Sequence, residues 1–112
     1  SEMCIRDRSQ AVKIAADYAA RHYREAVGLG DAAEAAGVNS TYLSYLFSQE
    51  MGIGFANYLL NLRMEHAKKL LRETNLKMWQ VAEESGFNDY HYFSKVFKKA
   101  EGMSPAQYRK HS

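Results

Sequence analysis

Proline occurs once in these 112 residues and cysteine once. The scarcity of proline removes the strongest helix breaker, and abundant Ala, Leu, Glu and Lys favour helix along the whole chain. A single thiol, Cys4, allows no internal disulfide and no cysteine-based metal site, which fits a reducing cytoplasm. No apolar run approaches the roughly eighteen residues of a membrane span, so no membrane partner is expected. The first residues also lack the apolar stretch of a secretory signal. A nucleophile elbow, a phosphate-binding glycine loop and an HExxH helix are all missing, so nothing supports enzymatic catalysis. His22, His66 and His111 have no carboxylate or thiol partners at ligand spacing. Neither a metal nor another cofactor is expected.

What is present is one ordinary domain's length of chain, 46% hydrophobic and 25% charged. The fold class expected is all-α. The formal charge of +2 is unevenly spread: residues 1–62 sum to −2, with five basic and seven acidic side chains, and residues 63–112 sum to +4, with ten and six. A cationic second half points to a polyanionic partner there.

Residues 1–8, "SEMCIRDR", match no pattern downstream. Glu2 to Asp7 back-translates as GAG ATG TGT ATA AGA GAC, which resembles a transposon end ligated to DNA during sequencing-library preparation. This segment is therefore read as a non-native scar, with the natural N-terminus and any preceding domain missing; the genomic sequence upstream of codon 9 decides the point.

From Gln10 onward the periodicity predicts helices joined by glycine-containing turns. Val12, Ile14, Tyr18, Ala19 and Tyr23 line one side of a first helix ending near Arg24. A short helix is expected over about 31–36 and a third from an N-cap at Ser40 to about Glu50, stopped by Gly52 and Gly54. A long helix over 55–73 follows, and then helices over about 78–85 and up to Lys99. Ser104 and Pro105 form an N-cap and N1 pair opening the last helix. The expected divisions are a first subdomain over 9–54, a connecting helix over 55–75 and a second subdomain over 76–112.

The two halves repeat. At an offset of 49, "DAAEAAG" (31–37) lies over "QVAEESG" (80–86); at an offset of 50, "YLSYLF" (42–47) lies over "YFSKVF" (92–97), with Gly52 over Gly102 and Tyr58 over Tyr108. Two copies of one helix-turn-helix unit separated by a long helix account for this pattern. In such a unit the second helix must be two-faced. Leu43, Leu46 and Phe47 form the apolar face of the first copy, opposite Ser40, Thr41, Ser44, Tyr45 and Ser48. Phe93, Val96 and Phe97, with Phe87 in the leading turn, do so in the second, opposite Tyr90, His91, Ser94, Lys95 and Lys98. Tyr92 is expected to be half-buried and Trp79 to be a packing or domain-contact residue. Lys68, Lys69 and Arg72 on the long helix are expected to be a solvated face.

These residues resemble the DNA-binding domain of the AraC/XylS family of bacterial transcription regulators over about residues 10–110. The specific signature is "VAEESGFNDYHYFSKVFKKAEGMSPAQYR" in the second half, and "YLSYLFSQEMGIGFANYLLNLRMEHAKKLL" fits a looser companion pattern in the first. The wording is most similar to the class linked to phosphoacceptor receiver domains. The resemblance implies two homeodomain-like helix-turn-helix subdomains, about seven helices in all. It implies sequence-specific binding of double-stranded DNA, with a recognition helix in each of two successive major grooves. Grooves on one DNA face recur about every 34 Å, and a connecting helix of nineteen or so residues spans roughly 28 Å.

By position, the base-facing residues implied are Ser40, Thr41, Ser44 and Tyr45 in the first recognition helix and Tyr90, His91, Ser94 and Lys95 in the second. Lys98, Lys99 and Arg109 are placed as phosphate ligands. RNA polymerase and a missing N-terminal sensory or receiver domain are the implied protein partners. The chain departs from the family pattern where Tyr45 stands in a frequent Arg position and Ser48 and Gln49 replace the usual basic pair. The first recognition helix is therefore expected to bind weakly, through apolar and hydroxyl contacts. The alternative reading is a helical protein-interaction module whose DNA binding has degenerated or been lost.

Overall fold

The computed structural model describes residues 2–112, with side chains from Ser9 onward. The segment read as a scar, including Cys4, lies outside the residues whose side chains are described. Among the described residues there are seven helices and no strand: α1 (Glu2–His22), α2 (Leu29–Ala36), α3 (Ser40–Met51), α4 (Phe55–Glu73), α5 (Met78–Glu84), α6 (Tyr90–Glu101) and α7 (Pro105–His111). None of them is long and apolar enough to cross a membrane. The chain divides into two compact units, Ser1–Leu62 and Arg63–Ser112, with the division falling inside α4.

In the first unit α1, α2 and α3 pack against one another. Their core is Val12, Ala15, Ala19, Ala32, Ala33, Leu43, Leu46 and Phe47, joined by Phe55 and Leu59 from the start of α4. Ile14, expected on the core side of α1, is only half-buried; Val12, Ala15 and Ala19 recur at steps of three and four and share the core face, whereas Ile14, two residues after Val12, points away from it. The Phe47 ring meets Phe55 edge-on at 5.3 Å between centroids and lies 5.3 Å from Tyr58. Such aromatic pairs add about 0.5–1.5 kcal/mol each to the burial of their area.

The second unit is built around Met64, Ala67 and Leu71 of α4, Val81 and Ala82 of α5, and a chain of rings. The Phe87 ring lies tilted 4.9 Å from Phe93, Phe93 lies 5.7 Å from Phe97, and Phe97 meets Tyr108 edge-on at 5.4 Å. Ser85, fully buried, directs its hydroxyl back to the Val81 carbonyl at 2.6 Å, so it brings no unpaired polar group into this core.

The internal repeat extends to the helix ends. Asp31 accepts from the Gly28 amide at 2.9 Å, and Gln80, forty-nine residues later, accepts from the Lys77 amide at 3.0 Å. After α2 and α5, Val38 and Phe87 donate to Ala33 and Ala82 at 3.0 and 2.8 Å, closing the same left-handed helix end around Gly37 and Gly86. Both α3 and α6 stop at a glycine, Gly52 and Gly102, with φ near 78° in each case. A side chain is disfavoured at such a φ, so glycine ends the two helices at equivalent points.

Candidate functional site

The N-terminus of each two-faced helix is held by a side chain in the preceding turn. Asn39 accepts from the Tyr42 amide at 2.8 Å, and Asp89 accepts from the His91 amide at 2.9 Å. The first cap is therefore Asn39, one residue before the expected Ser40; an Asn carbonyl oxygen does the same work as a Ser hydroxyl, and both residue types suit the position. With Leu43, Leu46 and Phe47 fully buried on one side and Phe93 and Phe97 on the other copy, the rotation of each helix about its axis is set.

That rotation leaves one outward stripe per helix. Thr41, Tyr45 and Ser48 recur at steps of four and three residues along α3, so they share a face, and all three are exposed. Ser40 and Ser44 are half-buried at its margin. Fifty residues later His91, Lys95 and Lys98 form the same stripe on α6, exposed, with Ser94 half-buried and Lys99 exposed beside them. Tyr90 is both packed and exposed: its ring lies 6.4 Å from Phe93 and 5.9 Å from His91. The stripes thus correspond position for position but differ in charge. Helix α3 carries no Lys, Arg or His, and its sole charge is Glu50; α6 carries three lysines. Two of them, Lys98 and Lys99, sit in its last turn, where the helix dipole favours cations.

Arg109, placed by sequence among the phosphate ligands, turns inward instead. Its Nε donates to the Leu71 carbonyl at 3.2 Å and its Nη1 to the Leu76 carbonyl at 2.6 Å, while Nη2 is buried. The last carbonyls of a helix have no partner within it, and Arg109 supplies a hydrogen bond to one of them, Leu71, a second to Leu76 in the loop that follows α4, and positive charge near the helix end. Arg109→Met should therefore destabilise the second unit by about 2–4 kcal/mol, since hydrogen bonds from a charged donor contribute about 1.5–3 kcal/mol each. Arg109→Lys should recover part of this at best, because an ammonium lacks the guanidinium fork. Urea unfolding checks both; parental stability in Arg109→Met would show that the clamp carries nothing.

Two more expectations are corrected, for Lys68 and Tyr92. Lys68 is not simply solvated: its Nζ is 2.9 Å from Glu65 and 3.6 Å from Glu101, and the Glu65 hydrogen bond raises its pKa from the ordinary lysine value. Arg72 is exposed, as expected, and also donates to the Tyr108 hydroxyl at 2.9 Å. Tyr92 is 52% exposed rather than half-buried; it flanks Arg63, whose pKa burial lowers while Tyr92 opposes the shift. Trp79, at 54%, is exposed as well. Tyr42 is also exposed, and the signal for it was the repeat, since Tyr42 and Tyr92 occupy equivalent positions outside both apolar faces. Among the described residues no cluster of three His, Cys, Asp or Glu is arranged to hold a metal ion.

Comparison with known proteins places this geometry. Residues 32–111 match the family described as helix-turn-helix domain. The HTH-type transcriptional regulator YijO of Escherichia coli (strain K12) is 39% identical over 111 residues, spanning 98% of this chain and 39% of that protein. YisR of Bacillus subtilis (strain 168), another HTH-type transcriptional regulator, is 43% identical over 96 residues, spanning 86% of this chain and 33% of its own length. The chain thus spans about two fifths or less of these relatives. The C-terminal domain of AraT, a response regulator from Geobacillus stearothermophilus, superposes with a TM-score of 0.88 at 41% identity, covering 91% of this chain and 85% of that one.

Proposed function

The chain belongs to the AraC/XylS-type helix-turn-helix regulators, and from that membership we propose that it binds double-stranded DNA sequence-specifically to regulate transcription, α3 and α6 each entering a major groove. The observation that carries this reading is the matched pair of outward stripes on two helices of equal length, capped and terminated at equivalent positions. A helix sunk on one side and polar on the other is what a groove about 12 Å wide admits. In α6, Tyr90, His91, Ser94 and Lys95 face the bases, and Lys98 and Lys99 the phosphates; in α3, Ser40, Thr41, Ser44 and Tyr45 take the base-facing role. Arg109 is withdrawn from the set, being engaged with the end of α4.

The relatives' greater length supports a wider proposal: this chain serves as the DNA-binding part of a longer regulator that also contains a sensory or receiver domain and acts on RNA polymerase.

Salt titration with duplexes selected from a random pool tests the proposal. Affinity should fall steeply as salt rises, with a slope of about −0.9 per phosphate contact. Lys95→Ala should cost about 1–3 kcal/mol of binding and shift the preferred sequence; uniform weakening across sequences would move Lys95 to a phosphate. Affinity indifferent to salt, or no selectable duplex, would favour a protein-interaction module.

A further inference from the structure

We infer that α3 selects its half of the DNA site through thymine methyl groups, with Tyr45 as the discriminating side chain. The inference rests on the DNA-binding reading above and deepens it. Guanine presents two acceptors in the major groove, read most often by Arg or Lys, and α3 has neither. Adenine is read by Asn or Gln; the sole such residue on α3 is Gln49, in its C-terminal half, whereas base edges are reached from the N-terminal half. What the N-terminal half presents is hydroxyl and apolar surface. A hydroxyl both donates and accepts, so it pairs with any base and discriminates poorly. Apolar surface discriminates at one place, the C5-methyl of thymine.

The structure puts such surface on the outward stripe. Tyr45 is 58% exposed, the highest value among the exposed large hydrophobic residues whose side chains are described. Thr41 lies one helical turn before it on the same face, and Glu50 near the helix end adds a charge that repels phosphate. At the equivalent positions α6 presents His91 and Lys95, donors suited to guanine O6 and N7. One chain thus carries two readers of different chemistry, a methyl-sensing helix and a cationic one.

The test replaces thymine by deoxyuridine, which removes the methyl and keeps every hydrogen-bonding group. Base positions whose preference changes between the parent chain and Tyr45→Ala, in selection from a random duplex pool, define the α3 half-site. Deoxyuridine there should weaken binding about fourfold per methyl in the parent, and by the same factor in Tyr45→Phe, which retains the ring. It should have no effect in Tyr45→Ala, whose thermal unfolding should match the parent because Tyr45 is exposed. Deoxyuridine in the remainder of the site should leave affinity unchanged. Equal affinity for thymine and deoxyuridine duplexes that still bind with a steep salt dependence, or a Tyr45→Ala chain with unaltered preference, would overturn methyl reading and leave DNA binding standing. Failure to select any duplex would overturn the DNA-binding reading itself.

Discussion

Phe97→Ala is expected to cost about 3–5 kcal/mol and to unfold the second unit while leaving the first folded. The transfer of a large ring to water is one part of this figure and the cavity left behind is the other. Phe97 is fully buried and sits between Phe93 on its own helix and Tyr108 on α7. Tyr108 in turn accepts a hydrogen bond from Arg72 near the end of α4. Removing the ring therefore loosens α6 from α7 and α7 from α4 together. A unit of about fifty residues has little stability to lose, because small domains bury a smaller fraction of their surface. The first unit has a core of its own around Leu43, Leu46 and Phe47 and should keep its ordered side-chain signals. Urea unfolding followed by near-ultraviolet circular dichroism and NMR would measure both effects. A loss below about 1 kcal/mol, with the second unit's signals intact, would mean that Phe97 does not anchor α6.

The burial of Phe97 is legible in the sequence, because the spacing of Phe93, Val96 and Phe97 is helical and opposes a polar stripe. Local chemistry was legible too. The long helix runs over Phe55–Glu73 as its pattern predicts, and Ser104 caps α7 with its hydroxyl accepting from Gln107 at 3.2 Å. At the start of α3 the cap lies one residue earlier than expected, because Asn39 has the same capping ability as Ser40 beside it. Among the cations, the contacts that periodicity does not show are with partners distant in sequence. Arg109 bonds carbonyls 38 and 33 residues away, Arg72 meets Tyr108 across 36, and Lys68 reaches Glu101. Periodicity assigns a residue to a face of its own helix, yet it cannot tell whether another helix brings an acceptor to that face. A long cation at a helix margin therefore looks solvated from sequence, whether it faces water, a phosphate or a carbonyl.

On α6 the lysines expected to face outward, Lys95 and Lys98, are exposed, as is Lys99 beside them. Replacing Lys95, Lys98 and Lys99 together by Ala should reduce DNA affinity by about a hundredfold or more at 0.1 M salt. Each phosphate neutralised contributes a slope near −0.9 in log affinity against log salt, or a factor of about eight at that concentration. Two such contacts give about sixtyfold and three about five hundredfold. The log–log slope should become shallower by about two units if Lys95 reads a base and by nearly three if it also meets a phosphate. All three side chains are exposed, so the fold should tolerate the change. Losing Lys98 and Lys99 from the last turn of α6 removes a favourable interaction with the helix dipole of about 0.3–1 kcal/mol each at low salt. Because α3 offers no cation to compensate, nearly all of the salt dependence should reside in the second unit. A triple variant that stays folded and keeps the parental slope would show that α6 is not the anchor on DNA.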